Sequence, residues 1–157
     1  MYNRFIMNPD SSQTDPTLLQ DAQFLASLAH VLAADSAAAG VMLHNAQARG
    51  NAISVCGNRT SGALTAAASM AYDVYLPPGR AGDIMLIVMP DTPTDDLAGV
   101  IDAGRERGLL ALAFVSDASL GLVAHADVVV HVPTSEPGLA RLSMVAALRA
   151  AAKHGRE

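Results

Sequence analysis

Residues 82–133 read GDIMLIVMPDTPTDDLAGVIDAGRERGLLALAFVSDASLGLVAHADVVVHVP. Three apolar runs stand out: Ile84 to Met89, Leu109 to Val115 and Asp127 to Val132. A capped amphipathic segment separates the first two, and a short polar crossover separates the last two. Continuously apolar runs of this length are strands buried on both faces, and crossovers between them make a parallel sheet. Ligands of such sheets sit outside the carboxyl ends of the strands. The loops after Cys56, Met89 and Val115 are therefore where function is expected.

Asp15-Pro16 marks a helix start, because Asp accepts bonds from orphan amides and Pro suits the first helical position. Leu18, Leu19, Ala22, Leu25, Leu28, Ala29 and Leu32 recur at helical spacing and define one apolar face. A second helix is expected from Ser36 to Ala48, stopping at Gly50. Asn51 to Cys56 is the first strand, Gly57 to Gly62 a turn, and Ala63 to Ala71 an alanine-rich helix. Val74 to Leu76 reads as a short strand. Thr92-Pro93 opens a helix with Asp95 and Asp96 in its first turn, where negative charge suits the dipole. That helix turns Leu97, Val100, Ile101 and Gly104 inward and ends at Gly108. Leu139 to Lys153 closes the chain. Residues 1–15 read as a flexible N-terminal segment and 16–157 as a single domain.

The chain has 157 residues, 51% hydrophobic and 16% charged, which fits one compact domain with one core. The net charge of −5 and scattered Lys and Arg argue against nucleic-acid binding. One cysteine, Cys56, allows no internal disulfide and fits a reducing cytosol. No signal-peptide core is evident, and no run reaches the roughly 20 apolar residues of a membrane span. A cytoplasmic protein without membrane association is expected. Abundant alanine and few charges suggest apolar helix faces left for subunit contacts.

The order of parts resembles the sugar isomerase (SIS) domain, and most closely its phosphoheptose isomerase branch. The residues that carry the resemblance are Cys56-Gly57-Asn58 with Ser61, Gly82-Asp83 before an apolar strand, Arg107-Gly108, and Leu122-x-x-x-Ala126-Asp127-Val128. The resemblance covers roughly residues 16 to 153. It implies a three-layer α/β/α sandwich around a doubly wound parallel sheet of about five strands. It also implies a homodimer or homotetramer with N-terminal helices in the interface, and a phosphosugar ligand bound by two hydroxyl-rich loops.

The first loop suits an anion on physical grounds. Gly57 permits a sharp turn, while Thr60, Ser61 and Gly62 put hydroxyls and free amides at a helix N-terminus. Arg59 adds a positive charge, and Ser61 matches the family's phosphate-contacting serine. Asn58, Arg59, Thr60 and Ser61 are thus the first candidate ligand contacts, although the same residues would also make an ordinary capped turn. The second loop, Met89-Pro90-Asp91-Thr92-Pro93-Thr94, departs from the family's serine-rich pattern. Thr94 aligns with a family hydroxyl and Thr92 brings another. Asp91 places a negative charge where a phosphate would lie. Two like charges about 4 Å apart repel by roughly 4 kcal/mol at an effective dielectric of 20, unless Asp91 turns away or a cation bridges. Ser116 and Asp117 follow the second apolar run, Leu109 to Val115, in a loop that lines the family's sugar pocket. They either bond sugar hydroxyls or form an Asx-type turn.

Aldose–ketose isomerisation requires a base and an acid. The family's helix glutamate falls near Ala71 and its closing-helix histidine near Ala146, so both are absent and no catalytic residue is assigned. With them goes the metal site of some members; no metal and no cofactor is expected. His30, His44, His125, His131 and His154 show no metal-ligand spacing. His30 or His44 could act only by reaching a neighbouring subunit's pocket. Cys56 reads as a small core residue, and Asp73 as a strand cap. Two functions follow from the resemblance: a phosphosugar-binding protein of the phosphoheptose isomerase type, isomerising if active, or a non-catalytic SIS-type regulatory or assembly protein acting through protein–protein contacts. A third is a subunit completed by a different partner chain.

Overall fold

The structure is a computed structural model and describes residues 15–57, 79–93 and 97–154. Helix α1 runs unbroken from Pro16 to Ala48. The Asp15 carboxylate caps it, accepting the amides of Thr17 at 2.8 Å and Leu18 at 3.3 Å. Gly50, at φ 69°, ends it. The two helices expected on either side of Ser36 are therefore one. Residues 33–40 are Ala-Ala-Asp-Ser-Ala-Ala-Ala-Gly, rich in the best helix former and free of proline. Ser36 does not cap; it is buried on the inward stripe with Leu28, Leu32, Ala39, Leu43 and Ala46.

That stripe corrects a second expectation. Leu28 and Leu32 are buried, but Leu18 and Leu19 remain 68% and 47% exposed, because the first turns of α1 reach beyond the packed body. By length and composition alone, α1 is also long and apolar enough to cross a membrane. The longest uncharged run understates this, since a single aspartate inside an 18-residue window leaves its mean hydropathy high. In the fold, the inward stripe of α1 packs on the closing helix and the sheet.

The sheet is formed by β1 (Ile53–Cys56), β2 (Ile84–Met89), β3 (Leu110–Ser116) and β4 (Val128–Val132). All neighbours are parallel and the order is β1-β2-β3-β4. The apolar runs behave as their composition demands. Ile84, Leu86 and Val88 face one core together with Leu112, Phe114, Val130 and Val132. Met85, Ile87 and Met89 face the other with Ala111, Ala113 and Val115. The first core lies under α1 and α3 (Pro137–His154); the second lies under α2 (Leu97–Glu106) and a 3-10 segment (Asp117–His125). Helices thus cover both faces of a parallel sheet, as the three-layer sandwich requires. The expected helix 63–71, the fifth strand Val74–Leu76 and the N-terminal segment lie outside the described residues. Within α2, Leu97, Ile101 and Gly104 turn inward as expected, but Val100 is 51% exposed.

The amino-terminal edge of the sheet is held by carboxylates. Asp83, buried, accepts the Ala52 amide at 2.8 Å and the Arg80 amide at 2.7 Å. Asp127 accepts the Ala111 amide at 2.7 Å and an Arg105 guanidinium bond at 3.0 Å. These bonds satisfy amides that precede the sheet ladder, where no strand partner is available.

Candidate functional site

The strand ends decide where a site can form. Cys56 faces Ile87 across β1 and β2, and Met89 faces Val115 across β2 and β3. The chain therefore leaves β1 at Gly57, β2 at Pro90 and β3 at Asp117 along one carboxyl rim. Antiparallel pairing would have sent these loops to opposite edges; none occurs among the described strands.

Of the candidate ligand residues, Asn58, Arg59, Thr60, Ser61 and Thr94 lie outside the described residues. Thr92 is exposed on the rim and has an interaction partner of its own. Ser116 is fully buried. Its hydroxyl donates to the Pro90 carbonyl at 2.9 Å and accepts the Ala118 amide at 3.2 Å. Ser119 completes the arrangement: its hydroxyl accepts the Ser116 amide at 2.9 Å and donates to the Met89 carbonyl at 2.6 Å. The pair forms a capping box for the 3-10 segment. It also clamps the backbone at the start of the second loop. Asp117 points outward and pairs with His131, Oδ1 to Nε2 2.8 Å.

Asp91 is paired with a cation. Arg141, early in α3, reaches both Asp91 carboxylate oxygens with Nη2, at 3.0 and 3.1 Å. The negative charge on the second loop is neutralised within the fold. Glu136 sits beside this pair and closes the N-terminus of α3, accepting the Gly138 amide at 3.0 Å and the Leu139 amide at 2.5 Å. Those two backbone bonds, Leu139 first, lower the Glu136 pKa; desolvation opposes them and the nearby Arg141 charge adds the smallest contribution in their favour. Sequence reasoning missed both residues. An arginine close to a helix N-terminus, where the dipole disfavours a cation, was the available signal.

One further titratable pair ties two elements together. His125 Nδ1 lies 2.8 Å from Asp102 Oδ1, tying the 3-10 segment to α2. His30 and His44 are exposed on α1, and Ala146 occupies α3 near the position of the family histidine. Cys56 is partly buried, and that burial raises its thiol pKa, so it is a poor nucleophile at neutral pH. Among the described residues no three His, Cys, Asp or Glu side chains converge to hold a metal ion.

Solved structures share this architecture. A phosphoheptose isomerase from Neisseria gonorrhoeae superposes with a TM-score of 0.78 over 89% of this chain and 95% of that one. A phosphoheptose isomerase from Francisella tularensis gives 0.69, covering 89% and 92%. This is the phosphoheptose isomerase fold. Sequence identity is 13% in both cases. No protein-family model matches the chain and no curated protein matches it. The resemblance drawn from Cys56-Gly57-Asn58, Gly82-Asp83 and Ala126-Asp127 is thus borne out as fold. Two of those three motifs work far from the rim, since Asp83 and Asp127 secure the opposite edge of the sheet.

Proposed function

We propose that this protein binds a phosphosugar at the carboxyl rim of its sheet. The phosphate is received by the first loop, Asn58 to Ser61, and the sugar is flanked by Thr92, Thr94 and Asp117, with Ser116 positioning the second loop. The observation that carries this reading is the parallel register of β1 against β2, Cys56 opposite Ile87, by which both strands end on one rim. A helix N-terminus after a parallel strand is a general anion receptor, and the fold is shared with the phosphoheptose isomerases named above.

The reading is one of binding first. The family's base and acid fall near Ala71 and Ala146, and alanine cannot move a proton. The test is thermal denaturation and calorimetric titration of the full chain with sedoheptulose 7-phosphate, fructose 6-phosphate and neutral sedoheptulose, with and without divalent metal. Stabilisation by a phosphosugar alone, weakened by Ser61→Ala, is the expected result. Turnover of sedoheptulose 7-phosphate would make the protein an isomerase using other groups. No shift with any phosphosugar would remove the proposal.

One observation favours a second reading, assembly. Leu18, Leu19, Val31 and Val41 are exposed along α1, and an apolar groove of about 360 Å³ lies between Leu25, Leu28 and Leu32 of α1 and Ala147 and Ala150 of α3. Apolar surface on this scale marks interaction sites, which fits a homo-oligomer or a regulatory protein that works through protein contacts. Sedimentation of the full chain tests it, with a monomer at micromolar concentration as the contrary outcome.

A further inference from the structure

We infer that Arg141 is an anion contact of the rim site, and that Asp91 is its stand-in partner while no ligand is bound. The inference rests on the phosphosugar reading above and adds to it a specific recognition group.

Three observations support it. First, the bridge uses the guanidinium incompletely. Arginine matches a carboxylate best as a fork, with two nitrogens on two oxygens. Here Nη2 alone serves both Asp91 oxygens, at 3.0 and 3.1 Å. Nε is shielded from solvent and has no hydrogen-bond partner among the described residues. An arginine selected only to hold Asp91 would be expected to satisfy that nitrogen, since an unmade bond of this kind is costly. Second, the pair is accessible: the side chains of Arg141 and Asp91 are 38% and 20% exposed. Third, its location is distinctive. Among the described arginines and lysines, Arg49, Arg80, Arg105 and Arg107 lie by the amino-terminal edge of the sheet, and Arg149 and Lys153 lie towards the distal end of α3. Arg141 is the described arginine or lysine at the carboxyl rim, bonded from α3 to the loop held by Ser116 and Ser119.

The electrostatics give the exchange a direction. With Asp91 alone the second loop would repel a phosphate; with Arg141 the loop is neutral. A phosphate carries more charge than a carboxylate and offers three acceptor oxygens, so it competes for the guanidinium fork. Glu136 stays engaged with the α3 amides and does not take Asp91's place.

The experiment titrates the full-length protein with inorganic phosphate, sedoheptulose 7-phosphate and neutral sedoheptulose, following heat and melting temperature. Arg141→Gln is expected to weaken binding of both phosphate ligands by about 10- to 100-fold, the range for a charge-assisted bond. Arg141→Lys keeps the charge without the fork and is expected to fall between the wild type and Arg141→Gln. Asp91→Asn removes the competitor and is expected to tighten phosphate binding severalfold. Unchanged affinity in Arg141→Gln, with Ser61→Ala still weakening binding, would overturn this inference and leave the phosphosugar reading standing. Unchanged or weaker binding in Asp91→Asn would overturn the exchange. A wild-type protein that binds neither phosphate ligand would remove both.

Discussion

The Ser116 hydroxyl donates to the Pro90 carbonyl at 2.9 Å, joining the end of β3 to the end of β2. Both residues are buried, so the bond is shielded from water. It fixes the first residue of the second loop relative to the crossover that follows β3. The clamp therefore links the stability of the sheet to the shape of the rim.

Ser116→Ala removes that bond and the cap on Ala118 together. A buried carbonyl left unsatisfied costs about 1–3 kcal/mol. The variant is expected to lose that much in urea denaturation with an unchanged m-value. Binding of any rim ligand should weaken with it, because Asp91 and Thr92 follow Pro90 directly.

Asp83 should matter more for folding than for function. Asp83→Ala strands the amides of Ala52 and Arg80, and a loss of about 2–5 kcal/mol is expected. Asp83→Asn keeps one acceptor and should lose about half as much. Ligand affinity of the folded fraction should remain at the wild-type value, since Asp83 lies at the opposite edge of the sheet. Chemical denaturation paired with calorimetry separates the two effects.

Gly40 is where α1 crosses α3. A Cβ added there would lie 2.5 Å from the Ala151 carbonyl oxygen and 3.0 Å from the His154 Cβ. The first of these is backbone and cannot swing away. Gly40→Ala gains about 1 kcal/mol of helix propensity, but forcing the helices apart costs about 1–3 kcal/mol. A net decrease in melting temperature is expected, larger for Gly40→Val. An increase would show that the crossing relaxes freely.

Glu136 gives the protein an acid-sensitive helix end. Backbone bonds from Leu139 and Gly138 hold its pKa below the ordinary glutamate value in the folded chain. A lowered pKa contributes stability that is present above the unfolded value and lost as pH falls through the folded one. The melting-temperature difference between wild type and Glu136→Gln should thus be constant near neutrality. It should shrink below the ordinary glutamate range and vanish in stronger acid. A difference that grows on acidification would contradict this assignment.

Much of the architecture was legible in residues 82–133 because buried parallel strands have a plain signature. Ile84–Met89 is apolar at every position, and both of its faces are indeed covered. Caps were equally local, as at Asp15-Pro16 and Gly50. The division of α1 at Ser36 was not legible correctly, because a serine after an aspartate looks the same whether it caps a helix or lies on a buried stripe. Val100 failed for a similar reason: helical period places a residue near a face, while the neighbouring element decides whether that face is covered.

At the rim the division is sharper. Ser116 and Asp117 were readable as loop hydroxyl and carboxylate, yet one is clamped to Pro90 and the other pairs with His131. Asp91 and Arg141 are 50 residues apart in the chain and 3.0 Å apart in space. By itself the sequence determined the described strands, their parallel direction and the rim at which they end, because hydrophobic period and capping act over a few residues. Which polar groups are already spent on one another, and which cation answers Asp91, was decided by tertiary structure, because hydrogen bonds and charge pairing depend on distances that only the packed layers set.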